Sequence, residues 1–193
     1  MAQQTAKQQS EIVLTGVNVT RLLETVDAVK GDGDIAKFKF RVRNKWISGG
    51  HNRTTITDFH GAKQDHPHEK PFEEDADEAD ILLGEDTGPN PVEYLLTGLA
   101  GCLTSSLIYH AAAKGIEIRG VESRLEGDMD LRGFLGLSKD VPVGYKNIRV
   151  YFKIDADVSE EKKEELIQMA QEYSPVFNTV SNPTPVSVQL DRA

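Results

Sequence analysis

A chain of 193 residues with a single cysteine, Cys102, cannot close a disulfide on itself or build a cysteine-based metal cluster. Basic charge is also scarce: 22 Lys and Arg stand against 31 Asp and Glu, for a net charge of −9. A phosphate-binding surface would need a basic patch above that acidic background, and Lys139, Arg149 and their neighbours are dispersed. Nucleic acid is therefore not an expected partner, and the charge reads as solubility. No signal peptide is expected either, since Met1 to Ser10 is polar and Gln-rich. The most apolar stretch, Tyr94 to Tyr109, falls short of the roughly 20 residues of a membrane span and carries Thr97, Thr104, Ser105 and Ser106. A cytoplasmic protein with no membrane partner is the expectation. No internal repeat is visible and no linker is long enough to divide residues 1–193, which are expected to form a single domain.

What is present is ordinary globular composition, 38% hydrophobic and 27% charged, enough apolar side chain for a real core. After a short apolar lead-in from Glu11 to Thr15, Asn18 can cap a helix carrying Leu22, Leu23, Val26 and Val29 on one face. Phe38, Phe40 and Val42 alternate with basic residues as a half-buried strand that runs on to Trp46 and Ile47. Gly49-Gly50 turns it into a second strand, Arg53 to Phe59. The polar, acidic stretch from Gly61 to Asp80 is expected to hold at most one edge strand, around Pro71 to Asp75.

A central helix follows, from Pro91 to about Lys114, with Gly115 placed for its C-terminal cap. Ile116 to Asp130 and Asn147 to Asp155 read as strands, joined by a loop from Gly133 to Gly144. Ser159 caps an amphipathic helix containing Leu166, Ile167 and Ala170. Ser174-Pro175 opens a short helical turn, and Pro185 to Leu190 is expected to close as a strand. The class is α+β, with antiparallel strands and a buried central helix.

Chemistry centres on that helix. Leu95, Leu99, Cys102 and Ser106 lie three and four residues apart and share a face. Gly98, Ala100 and Gly101 allow close approach of another backbone. A helix apolar nearly all round is expected to be sandwiched between a sheet and a second subunit. An isolated buried cysteine is most often a small hydrophobe. A reactive one needs a cation or a helix N-terminus. Cys102 is about three turns into the helix, and His110 is about 12 Å further along the axis. The available cations are Arg53 and His51 in the Gly-Gly hairpin. Glu93, three residues after Asn90, reads equally as the second half of a capping box or as a catalytic acid. His66-Pro67-His68, among carboxylates, is a weak metal-binding candidate. Ser105 and Ser106 lack the strand-turn-helix context of a hydrolase nucleophile.

The run Gly88-Pro89-Asn90-Pro91-Val92-Glu93-Tyr94-Leu95-Leu96, followed by Leu99-Ala100-Gly101-Cys102-Leu103, resembles the signature helix of the OsmC/Ohr family, the osmotically inducible and organic-hydroperoxide-resistance proteins. Ala111-Ala112-Ala113-Lys114-Gly115-Ile116 and Ser174-Pro175-Val176 fit in order and spacing. The likeness covers residues 36–190 as an OsmC-like core, with residues 1–35 an N-terminal extension bearing a helix. It implies an OsmC-like fold in an intertwined homodimer, with Cys102 near the interface, and, for peroxidase members, thiol-dependent reduction of hydroperoxides in oxidative stress. Cys102 matches the peroxide-attacking residue, and Arg53 takes the place of the activating arginine, with His51 competing. The resemblance also implies a resolving cysteine where this chain has Ser174, and an acid where it has Val92, with Glu93 one residue late.

Two functions stay open on these grounds. One is a single-cysteine peroxidase with Cys102, Arg53 and Glu93 as site residues, no cofactor, and an external thiol as reductant. The other is a non-catalytic OsmC-fold protein that binds a small hydrophobic or peroxide ligand beside Cys102.

Overall fold

The computed structural model describes residues 11–192, so the polar segment Met1–Ser10 lies outside the described residues. The chain forms two compact units, the first ending at Leu95 and the second beginning at Leu96. The boundary falls inside the central helix rather than in a linker.

In the first unit a small hairpin, β1 (Val13–Leu14) and β2 (Val17–Asn18), leads into α1 (Val19–Gly31). The Asn18 side chain accepts from the Arg21 N–H at 3.0 Å, the capping expected of it. Only Val19 of α1 is buried; Leu23 and Val26, expected on a core face, are exposed.

The main sheet is antiparallel throughout. β5 (His51–Gly61) is its central strand, with β6 (Gln64–Ala76) along one side. Along the other side β3 (Lys39–Phe40) and β4 (Arg43–Ser48) lie end to end. The sequence reads as one strand through Phe40 and Val42, but the register shifts by one residue across Arg41-Val42 and breaks it. A larger correction concerns β6. The acidic stretch forms one long strand instead of a short one, because it pairs with β5 alone. On such an edge, Pro67 and Pro71 lose no bond they need and the charges stay solvated.

Between β6 and the central helix the chain folds around Asp77, which is 1% exposed. One carboxylate oxygen accepts from the Glu78 N–H at 2.8 Å. The other accepts from the Thr87 hydroxyl at 2.8 Å and from the N–H groups of Glu85 and Thr87 at 3.2 and 3.3 Å. A buried carboxylate is tolerated only when its lone pairs are filled in this way. Burial pushes the Asp77 carboxyl up, but the bonds from Thr87, Glu78 and Glu85 outweigh it and hold the group below its ordinary value. Gly88 lies against the Asp75 carbonyl so closely that no Cβ would fit.

The second unit is built on α2 (Pro91–Ala113), whose larger part belongs to it, and on the antiparallel pair β7 (Ile118–Asp128) and β8 (Asn147–Ala156). Leu99, Leu103, Leu107 and Ala111, spaced four apart, form a buried stripe. They pack with Ile118, Ile154 and Ala156 of the hairpin and with Leu166 and Ala170 of α4 (Glu160–Tyr173). Fully burying a Leu side chain contributes about 1.5–3 kcal/mol, so this stripe is a major stabilising element of the unit. Gly115, at φ +72°, supplies the left-handed residue that ends α2.

A helical turn, α3 (Leu131–Phe134), lies in the connection between the strands. Ser159 caps α4, and Ser174 caps α5 (Pro175–Ser181) with Pro175 in the first turn, both as the sequence reads. Pro185 to Leu190 does not form the expected strand: Val186, Val188 and Leu190 are exposed. α2 is also long and apolar enough to cross a membrane by length and composition, with 33% of that window buried inside the chain. The core helix of a soluble protein passes the same test.

Candidate functional site

Cys102 is a free, partly buried thiol on α2. Leu99 and Leu103 beside it are in the core, while Gly98, Gly101 and Ser105 are exposed. Within its unit the helix buries one stripe. Ser105 donates to the Cys102 carbonyl at 3.1 Å. Ser106, one turn beyond Cys102, has a buried Oγ with no hydrogen-bond partner among the described residues. A further turn on, the His110 ring packs on Tyr173 at 4.7 Å between centroids. Ser174 is completely buried and its hydroxyl accepts from the Phe177 N–H at 3.2 Å. The position where the family resemblance implies a second cysteine is a helix cap.

In the first unit, Arg53 and His51 both bind Asp75. Arg53 grips it with two bonds, Nε to Oδ1 at 2.9 Å and Nη2 to Oδ2 at 2.8 Å. His51 Nε2 donates to Oδ1 at 3.0 Å. The pairing follows from the hairpin, in which Arg53 stands directly opposite Asp75. The bonds from Arg53 and then His51 hold the Asp75 carboxyl down at about 2, and the same ion pair raises Arg53. Tyr94 donates to the Asp75 carbonyl at 2.7 Å; burial first, then the Glu74 carboxylate, pushes its phenol up.

Glu93 and Asn90 form the reciprocal capping box at the start of α2. The Glu93 carboxylate accepts from the Asn90 N–H at 2.9 Å, and Asn90 Oδ1 accepts from the Val92 N–H at 3.0 Å. Asn90 also donates to Glu78.

His66 and His68 lie on β6 in a chain of rings. His66 stacks on Phe59 at 4.9 Å and donates to the Gly61 carbonyl at 3.1 Å; His68 meets the edge of Phe72 at 4.8 Å. No group of three His, Cys, Asp or Glu among the described residues is placed to hold a metal ion. A cavity of about 370 Å³ opens at the far end of β7 and β8. Of the charges lining it, Asp130 pairs with Arg132 and Asp128 with Arg149.

Asp75 and Asp77 are absent from the candidate list read from sequence. For Asp75 a signal was present, since any β5–β6 hairpin sets an acid from that run against Arg53. Nothing in the sequence distinguishes buried Asp77 from its solvated neighbours.

Fold and site together define an α+β protein whose one thiol rides on a long central helix packed on an antiparallel hairpin. Residues 84–189, more than half of the chain, match the family model described as OsmC-like protein, and the chain belongs to that family. The organic hydroperoxide resistance protein OhrB of Bacillus subtilis (strain 168) is 29% identical over 105 residues, covering 54% of this chain and 71% of that protein. Among solved structures, an OsmC-like protein from Mycoplasma pneumoniae aligns with a TM-score of 0.55 at 20% identity, covering 74% of this chain and 87% of that one. An organic hydroperoxide resistance protein OsmC from Legionella pneumophila gives 0.52 at 18%, covering 73% and 89%. An OsmC-like protein of unknown function from Vibrio cholerae gives 0.56 at 9%, covering 73% and 92%. These structures share the α+β fold with antiparallel sheets.

Proposed function

We propose that this OsmC-family protein acts in hydroperoxide resistance as a cytoplasmic single-cysteine peroxidase, with Cys102 as its redox centre and a homodimer as its working form. The observation that carries the reading is a free, partly buried thiol on the central helix, inside the segment that matches the family. The name of the Bacillus relative supports hydroperoxide as the substrate class.

In the reaction, the Cys102 thiolate attacks one peroxide oxygen. The O–O bond breaks as an S–O bond forms, the leaving alkoxide takes a proton to become an alcohol, and the sulfur is oxidised to a sulfenic acid. With Ser174 in place of a second cysteine, an external dithiol reduces the sulfenic acid, releases water and becomes a disulfide. Arg53 and Glu93 complete the proposed site: Arg53 as the cation favouring thiolate, with its orientation fixed by Asp75, and Glu93 as the acid. Purified protein supplied with an organic hydroperoxide and a dithiol is expected to consume peroxide saturably, and Cys102→Ser is expected to abolish that activity. Equal rates for the two proteins would rule the reading out.

A second reading has its own support. Ser174 and Glu93 both serve as helix caps, which fits a family member that kept the fold as a small-molecule binding protein and lost the chemistry. It predicts a Cys102 thiol no faster with peroxide than a free thiol, and a small ligand carried through purification and visible by native mass spectrometry.

A further inference from the structure

We infer that Ser106 is the hydrogen-bond donor to the oxygen atom that Cys102 takes from its peroxide. The inference rests on the reading of Cys102 as a peroxide-reducing thiol and adds a residue to that site. Three observations carry it.

The first is spacing. Ser106 follows Cys102 by four residues in α2, which sets their Cβ atoms about 5–6 Å apart on neighbouring turns of one face. The second is the hydroxyl itself, which is buried and has no partner among the described residues. A buried polar atom without a bond is costly, and native chains keep few of them without a use. Elsewhere in the same unit Ser159, Ser174 and Ser181 all engage their hydroxyls. The third is freedom to turn. A serine moves between staggered χ1 wells, and a hydroxyl that holds no bond gives up none when it does so.

A thiol offers that hydroxyl only a weak acceptor. The oxygen bonded to sulfur after the O–O bond breaks is a strong one, and it exists only along the reaction. A donor satisfied by the oxidised state and not by the resting thiol favours oxidation selectively.

The test compares wild type, Ser106→Ala and Ser106→Thr as full-length proteins in two reactions. One is alkylation of Cys102 by iodoacetamide, which adds carbon to sulfur. The other is oxidation of Cys102 by tert-butyl hydroperoxide, read by mass after trapping the sulfenic acid with dimedone. Ser106→Ala is expected to slow oxidation about tenfold, a factor equivalent to about 1.4 kcal/mol and within reach of one hydrogen bond. Its alkylation rate should stay within about twofold of wild type, its melting temperature should not fall, and Ser106→Thr should restore most of the oxidation rate. Oxidation of Ser106→Ala at the wild-type rate overturns the inference. So does equal slowing of both reactions, a lowered melting temperature, or a threonine variant as slow as the alanine one. If wild-type Cys102 is alkylated but never oxidised, the peroxidase reading itself fails, a result that separates the two ideas.

Discussion

Asp75 and Asp77 stand two residues apart, yet different surroundings keep each of them ionised. Asp77 is buried and relies on neutral donors from its own turn, whereas Asp75 is partly exposed and relies on the charge of Arg53. The Asp75 carboxyl lies at about 2 against an ordinary 3.8, so its folded value is depressed. A depressed carboxylate contributes stability that is fully present above the ordinary value and is lost as pH falls toward the folded one. Asp75→Asn is therefore expected to melt below wild type at neutral pH. The gap should close between about pH 4 and about pH 2, where wild-type Asp75 takes up its proton. Melting curves across that window check it, and a gap that stays constant with pH would dissociate the stabilisation from the ion pair. At this scale the sequence was most legible where a residue acts locally. Asn18, Ser159 and Ser174 cap the helices that follow them, and Asn90 with Glu93 forms the expected box. It was least legible where a role depends on a partner far along the chain, as for Asp75.

Elements divide along the same line. α2, α4 and the strands β5, β7 and β8 follow from periodicity and turn residues close to their observed limits. β6 was read too short because Pro67, Pro71 and a run of acids argue against a central strand, and only its place on an edge makes them harmless. The opposite error concerns Pro185 to Leu190, where Val186, Val188 and Leu190 alternate as in a strand but β-structure needs a neighbour. Within α2, composition predicts burial without saying which stripe is buried. Leu107, at 0% exposure, lies on the stripe packed against the β7–β8 hairpin and α4. Leu107→Ala is expected to cost about 2–5 kcal/mol in chemical denaturation, the loss of a large side chain from a packed core. A cost below about 1 kcal/mol would mean that the site collapses freely and that the stripe is not the unit's main support.

Among the described residues, both units leave large apolar side chains in contact with solvent. In the first unit Phe40 and Trp46 are 76% and 69% exposed on the sheet, and in the second Val188 and Leu190 are 92% and 81% exposed. Exposed apolar patches of this kind mark surfaces that meet a partner. The proposed homodimer supplies one, and the exposed side of α2 is the place where it can be tested most cleanly. Gly98, Gly101 and Ser105 leave that side of the helix low, so another backbone can approach closely. A side chain added at Gly101 meets nothing within its own chain, and a non-glycine residue suits a helix better than glycine does. Gly101→Glu should therefore leave the single chain folded, with a circular dichroism spectrum like that of wild type. At the same time it places a charge on the face assigned to the second copy, where an unpaired buried carboxylate is not tolerated. Sedimentation of wild type is expected to give a dimer and that of Gly101→Glu a folded monomer. A variant that remains dimeric would move the interface away from α2, and a wild-type monomer would leave the apolar surfaces of both units for a partner other than a second copy.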